Sequence, residues 1–381
     1  MKRRFSIILY LILLLALSVC GLTTAGLAFP PSVYASIQTP TVPGCSSGEV
    51  PAPEVGAPYS PPLEAASITP FSCDEIGGEF AYDPQSPLDI QEVGSRREEG
   101  MTIIDLSYAS PMGGIVPSTL VVPDGAGPFA GMLYMHGMPD TRQTWILAAV
   151  TYARMGAVVL LIDSPFARRA DDPESTIIFG EQDRRDQIQL IVDLRRGIDL
   201  LLSRPDVDPK RLTYIGYSYG GLMGGLLAGV EHGLKAYVLQ VAIGGLVTHL
   251  TGSMDRGRFQ SMSEDLRRKW VAWMWPIEPI HYVGCASPAA ILFQNGMLDV
   301  YSLPADALRY QEAASEPKTI RWYQVGHKLV YDAAAFRDQA EWLAQEIGIS
   351  VGQLSVPVDP QIMAAYVGQY QFNVPETDGM R

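Results

Sequence analysis

The sequence predicts an α/β fold in which a mostly parallel, eight-stranded sheet carries helices on both faces. From about residue 100, short β-branched runs alternate with longer segments of helical periodicity. The later runs are almost continuously apolar, as strands covered on both faces must be. One junction, from Leu212 to Gly221, joins a strand directly to a helix through closely spaced glycines.

The elements follow in chain order. Lys2, Arg3 and Arg4 precede an apolar run from Phe5 to Val19, broken only by Ser6 and Ser18, so residues 1–28 read as a signal peptide or membrane anchor. Three outcomes stay open there. The leader is cleaved near Thr23-Thr24-Ala25, or lipidated at Cys20 in Leu17-Ser18-Val19-Cys20, or kept as an anchor, since Phe5 to Phe29 is long enough to span a bilayer. Each places the protein outside the cytoplasmic membrane or within the envelope, tethered by its N-terminus or released.

Residues 29–74 form a Pro-rich spacer, with runs such as Val50-Pro51-Ala52-Pro53 that favour extended backbone. Of four cysteines, Cys45 and Cys73 are placed to staple this segment, leaving Cys285 as a buried thiol; all four being free is the competing reading.

A domain over 75–347 follows. Its candidate strands are Met101 to Tyr108, Ile115 to Val122, Ala130 to Met135, Ala157 to Asp163, Leu212 to Gly216, Ala236 to Val241, Ala289 to Gln294 and Thr319 to Val325. Candidate helices cover Arg142 to Met155, Asp183 to Ser203, Tyr219 to Val230, Ala305 to Ser315 and Ala333 to Ile347. An insertion over about 244–285 carries Trp270, Trp273 and Trp275. At the carboxyl end of a strand it reads as a helical lid or substrate-pocket wall, or equally as a helical insertion packed on the sheet. The extension 348–381 has two short apolar patches and no legible role.

Composition narrows the function. The formal net charge of -13 argues against a nucleic-acid partner. No Gly-x-Gly-x-x-Gly follows the first strand and no Walker-type lysine loop occurs, so no nucleotide cofactor is expected. Cys-x-x-Cys pairs and His/Cys clusters are absent as well, so no metal is expected.

The chemistry centres on Gly216-Tyr217-Ser218-Tyr219-Gly220-Gly221, a Gly-x-Ser-x-Gly turn between a strand and a helix. Such a turn exposes a serine Oγ at the sheet edge, beside a helix N-terminus that favours developing negative charge. A serine nucleophile needs a base. In the chain order serine, acid, histidine, Asp299 follows the strand ending at Gln294, and His327 is the one histidine after it. Asp332 and Asp306 are alternative acids.

The turn His136-Gly137-Met138-Pro139 follows the third strand and suits an oxyanion hole built from the backbone amides of Met138 and Tyr219; Gly137 is the alternative to Met138, since Pro139 cannot donate. His136 and Asp163 read as structural. Tyr217 and the three insertion tryptophans are candidate pocket residues.

On these pieces, together with Pro205-Asp206-Val207-Asp208-Pro209, Gly296 to Asp299 and Gly326-His327, residues 75–347 resemble the α/β-hydrolase superfamily, in its dienelactone hydrolase-like and acetyl xylan esterase-like branch. The resemblance implies cofactor-free hydrolysis of a small-molecule or acylated-carbohydrate ester. Dienelactone hydrolases proper carry cysteine at the nucleophile, so Ser218 points to an esterase. The Gly-x-Ser-Tyr-Gly-Gly run is also similar to that of prolyl oligopeptidase-like peptidases, which makes peptide or amide hydrolysis the alternative. A non-catalytic binding protein is the third reading.

Overall fold

In the computed structural model, the described residues are 50–53, 65, 70, 72–98, 100–169, 176–252 and 256–354. The leader, most of the spacer and the extension beyond residue 354 lie outside them, as do the expectations placed there. Among the described residues no helix is long and apolar enough to cross a membrane. Pro43–Gly352 forms one compact unit.

The sheet has nine strands rather than eight. They are β1 (Gln91–Glu98), β2 (Met101–Ala109), β3 (Ile115–Pro123), β4 (Phe129–Met135), β5 (Ala157–Ile162), β6 (Val207–Tyr217), β7 (Ala236–Gln240), β8 (Ala290–Gly296) and β9 (Lys318–Tyr323). Their spatial order is β1-β2-β3-β5-β4-β6-β7-β8-β9. Pairing is antiparallel from β1 to β5 and parallel from β5 to β9.

The additional strand, β1, has every residue exposed and a register shift between Glu92 and Gly94. Its sequence alternates no apolar face, so periodicity does not reveal it. Arg96, Arg97 and Glu98 on an irregular edge also discourage pairing with a second chain.

Helices cover both faces. They are α1 (Cys73–Glu79), α2 (Ile146–Arg154), α3 (Glu181–Leu202), α4 (Tyr219–Val230), α5 (Leu246–Gly252), α6 (Arg256–Ser261), α7 (Glu264–Met274), α8 (Pro304–Ala313) and α9 (Ala333–Ile347). Successive side chains of a strand point to opposite faces. On β7, Leu239 packs beneath Gly224 of α4, while the Gln240 side chain bonds Gln339 of α9 at 3.0 Å. The rings of Tyr152 in α2 and Phe336 in α9 lie 6.0 Å apart, so α2 shares the α9 face. On the other face, Tyr310 of α8 donates to the Leu222 carbonyl of α4 at 2.9 Å.

Two expectations are corrected. The Pro-rich segment is more than an extended spacer: the Val50 N–H donates to the Trp322 carbonyl at 2.9 Å, and Ala65 is buried in the core. Val50 partly satisfies the open edge of β9, and burying apolar side chains offsets the extended preference of the prolines around them. Cys285 is not a buried thiol. It sits half-buried on the short 3-10 turn Val283–Cys285 and is disulfide-bonded.

Candidate active site

Strand β6 ends at Tyr217 and α4 begins at Tyr219, leaving Ser218 alone at the reversal with φ 53° and ψ -113°. That conformation is costly for any residue with a β-carbon, and it persists because the surroundings over-determine it. A β-carbon on Gly216 would lie 2.2 Å from the Gly220 carbonyl oxygen, and one on Gly220 would lie 2.4 Å from that of Met135. The glycines are therefore a packing requirement. The Ser218 N–H donates to the Gln240 carbonyl at 2.9 Å, which pins the turn to the end of β7.

His327 follows β9 and Asp299 follows β8, so all three side chains rise from the carboxyl ends of β6, β8 and β9, on one end of the sheet. Ser218 Oγ and His327 Nε2 are 2.9 Å apart, and His327 Nδ1 and Asp299 Oδ2 are 2.8 Å apart. The other carboxylate oxygen of Asp299 accepts the N–H groups of Tyr301 and Ser302, each at 2.9 Å. With both oxygens engaged, Asp299 has no freedom to turn away from the imidazole.

Two aromatic rings lie beside the imidazole, Tyr217 at 5.7 Å and Tyr301 at 5.1 Å, and the Tyr217 hydroxyl donates to the His327 carbonyl at 2.6 Å. The alternative acids are occupied elsewhere. Asp332 caps α9 by accepting from the Ala335 N–H at 2.9 Å, and Asp306 pairs with Arg309.

The His136–Pro139 turn packs directly on the serine. A β-carbon on Gly137 would stand 3.1 Å from Ser218 Cβ. Among the described residues, neither the Met138 amide nor the Tyr219 amide has a protein acceptor. Tyr219 is the first residue of α4, where the helix itself offers its N–H no partner. His136 is buried, with Nδ1 2.7 Å from the Gly137 carbonyl and Nε2 accepting from the Ser164 N–H at 3.2 Å. Burial lowers its pKa, and a neutral ring donating at Nδ1 and accepting at Nε2 satisfies both contacts. Asp163 accepts from the Arg142 backbone N–H at 2.8 Å and pairs with its guanidinium, holding a loop.

Trp270 and Trp275 are buried, Trp273 is partly buried, and none joins the serine–histidine–aspartate group. Trp270 Nε1 donates to Asp183 Oδ2 at 2.7 Å, and its ring packs edge-on against Phe179 and Phe259. The insertion is anchored to α3 because indole rings gain more from burial there than from exposure over a crevice. Tyr217 is buried too, its hydroxyl donating to the His327 carbonyl.

Sequence reasoning missed Val241 and Ser302. Val241 is buried at φ 44°, an outlying conformation for a β-branched residue. Its N–H donates to the Gln294 carbonyl at 2.8 Å, and its carbonyl accepts from Ser302 Oγ at 2.5 Å. This residue ties the end of β7, whose Gln240 carbonyl accepts the Ser218 N–H, to β8 and to the loop that holds Asp299. No sequence signal marks a valine for such a backbone.

Solved structures share this arrangement of chain. Acetyl xylan esterase 1 from Thermoanaerobacterium matches with a TM-score of 0.62 at 16% identity, covering 76% of this chain and 99% of the esterase. The chain has the α/β-hydrolase fold. An acetyl xylan esterase from Paenibacillus matches that fold with a TM-score of 0.56 at 19% identity, over 74% of this chain and 99% of the other. A prolyl endopeptidase structure matches with a TM-score of 0.53 at 19% identity, over 70% of this chain and 39% of the endopeptidase.

In sequence, residues 182–349 of this α/β-hydrolase-fold chain match the prolyl oligopeptidase family. An uncharacterized peptidase of Bacillus subtilis is 24% identical over 241 residues, which are 59% of this chain. The match spans only 35% of that relative's length.

Proposed function

We propose that the protein is a serine hydrolase that cleaves carboxylic esters through an acyl-serine intermediate. The observation that carries this reading is the continuous hydrogen-bonded series from Ser218 Oγ through His327 to Asp299, at 2.9 and 2.8 Å. His327 Nε2 takes the Ser218 proton as Oγ bonds to the ester carbonyl carbon. Asp299 holds the proton on Nδ1 and steadies the imidazolium that forms. The Met138 and Tyr219 amides receive the oxyanion, each contributing about 3–4 kcal/mol to the transition state. The tetrahedral adduct collapses as His327 returns its proton to the departing alcohol. Water then attacks the acyl-serine by the same route, releasing the acid and restoring the Ser218 hydroxyl.

A second reading, peptide or amide hydrolysis, is favoured by the prolyl oligopeptidase family match over residues 182–349. The chemistry is common to both, and the leaving group separates them. The decisive comparison uses the purified protein on p-nitrophenyl acetate and on aminoacyl p-nitroanilides. The ester reading expects turnover of the acetate that disappears in Ser218→Ala while the fold is retained. Preferential turnover of anilides would transfer the assignment to the peptidase reading, and equal ester turnover by Ser218→Ala would end both.

A further inference from the structure

Tyr301, beside His327, has no role in the chemistry described so far. Its ring centroid lies 5.1 Å from that of the His327 imidazole, on the loop that follows Asp299. The loop is held at three points. Asp299 Oδ1 accepts the Tyr301 N–H at 2.9 Å, His249 Nδ1 lies 3.1 Å from the Tyr301 carbonyl, and Ser302 Oγ is bonded to the Val241 carbonyl. These contacts fix the backbone that carries the ring, whereas the Tyr217 ring beside the same imidazole is buried. Tyr301 instead remains 44% exposed.

It also has apolar company. Leu298 and Val300, its neighbours on the acid loop, are 57% and 52% exposed, and Tyr331, just beyond the base, is 56% exposed. Exposed large apolar side chains are ordinary when scattered. Here four stand on the two loops that carry the acid and the base.

The chemistry says which part of a substrate meets this surface. His327 hands its proton to the departing alcohol, so that oxygen must come within hydrogen-bond reach of Nε2. The group attached to the oxygen therefore extends along the His327 side of the crevice, whereas the carbonyl oxygen faces the Met138 and Tyr219 amides. We infer that Tyr301, with Leu298, Val300 and Tyr331, forms the leaving-group subsite, and that the substrates are esters of apolar, ring-bearing alcohols. Tyr301 is the specificity-determining residue: an aryl ring of the alcohol stacks on its exposed surface, beside the imidazole, which is tilted 57° to the phenol ring. This rests on the ester-hydrolase reading above and adds the class of alcohol.

The test holds the acyl group constant and changes the alcohol. Steady-state kinetics are measured on benzyl acetate, methyl acetate and an acetylated xylose, for the intact protein and for Tyr301→Ala and Tyr301→Phe. Intact protein should favour benzyl over methyl acetate in kcat/KM by about tenfold, the scale of one aromatic contact plus the apolar area it buries. Tyr301→Ala should collapse that ratio toward unity, chiefly through a raised KM for benzyl acetate, and Tyr301→Phe should preserve it.

Three results would overturn the inference: no preference for the benzyl ester, a preference for the acetylated sugar, or a Tyr301→Ala variant that slows benzyl and methyl acetate equally. The last would assign the ring to support of His327 alone. Failure of the underlying ester reading looks different, because then none of the three acetates is turned over by any variant.

Discussion

The turn from Gly216 to Gly221 and the insertion over residues 244–285 stand at the carboxyl ends of adjacent strands, yet they use side chains in opposite ways. The turn removes them. Its glycines leave room for backbone contacts that a single methyl would forbid, and the strain concentrates on Ser218 at φ 53°. The insertion adds them. Trp270 and Trp275 are buried, the Trp270 indole is bonded to Asp183, and Gln187 of α3 donates to the Ile277 carbonyl at 2.7 Å. One segment presents the Ser218 hydroxyl to His327 and the other braces the frame. Aromatic residues near a site are thus a poor guide to its pocket when burial can satisfy them more fully.

Substitutions can break this contrast. Ser218→Ala should lower ester kcat/KM by about 10⁴-fold or more with an unchanged thermal midpoint, because only the reacting oxygen is lost. Asp299→Asn should lower kcat by about 10⁴-fold, since the amide no longer fixes the imidazole tautomer. Comparable loss from Trp270→Ala, without loss of stability, would make the insertion part of the site after all. The expected result for Trp270→Ala is about 3–5 kcal/mol of destabilisation in urea, with turnover per folded molecule retained.

The smallest effect concerns pH. Burial pushes the Glu278 carboxyl up to about 8, and its oxygens accept the N–H groups of Thr248 and Val247 at 2.8 and 3.3 Å. A raised carboxyl pKa means that the folded state binds the extra proton. The stability this group contributes is complete below its ordinary value of 4.5 and is lost as pH rises to about 8. Glu278→Gln should therefore remove about 1–3 kcal/mol from the decline in unfolding free energy between pH 5 and pH 8. Burial pushes His281 down to about 4, and its share runs the other way, complete above 6.5 and lost as pH falls. An insertion braced by packing alone would show no such dependence.

Much of this was legible in one dimension. The central strands showed as apolar runs because strands covered on both faces must be apolar, and the helices Tyr219–Val230 and Ala333–Ile347 fell where periodicity put them. Ser218, Asp299 and His327 could be chosen from chain order and strand ends before their convergence was visible. What could not be read depends on contact rather than pattern. β1 exposes every residue, so it has no face to alternate. Val241 sits in a conformation its residue type disfavours, held by Gln294 and Ser302 from other parts of the chain. The burial of Trp270 depends on Asp183, 87 residues earlier.

The most direct measurement is active-site labelling with a fluorophosphonate, followed by peptide mass spectrometry, on the intact protein and on His327→Ala. Covalent modification of Ser218 alone, strongly slowed when His327 is removed, is the expected result. A hydroxyl that stays unlabelled, or that labels equally fast without the imidazole, would show that the hydrogen-bonded series does not activate it.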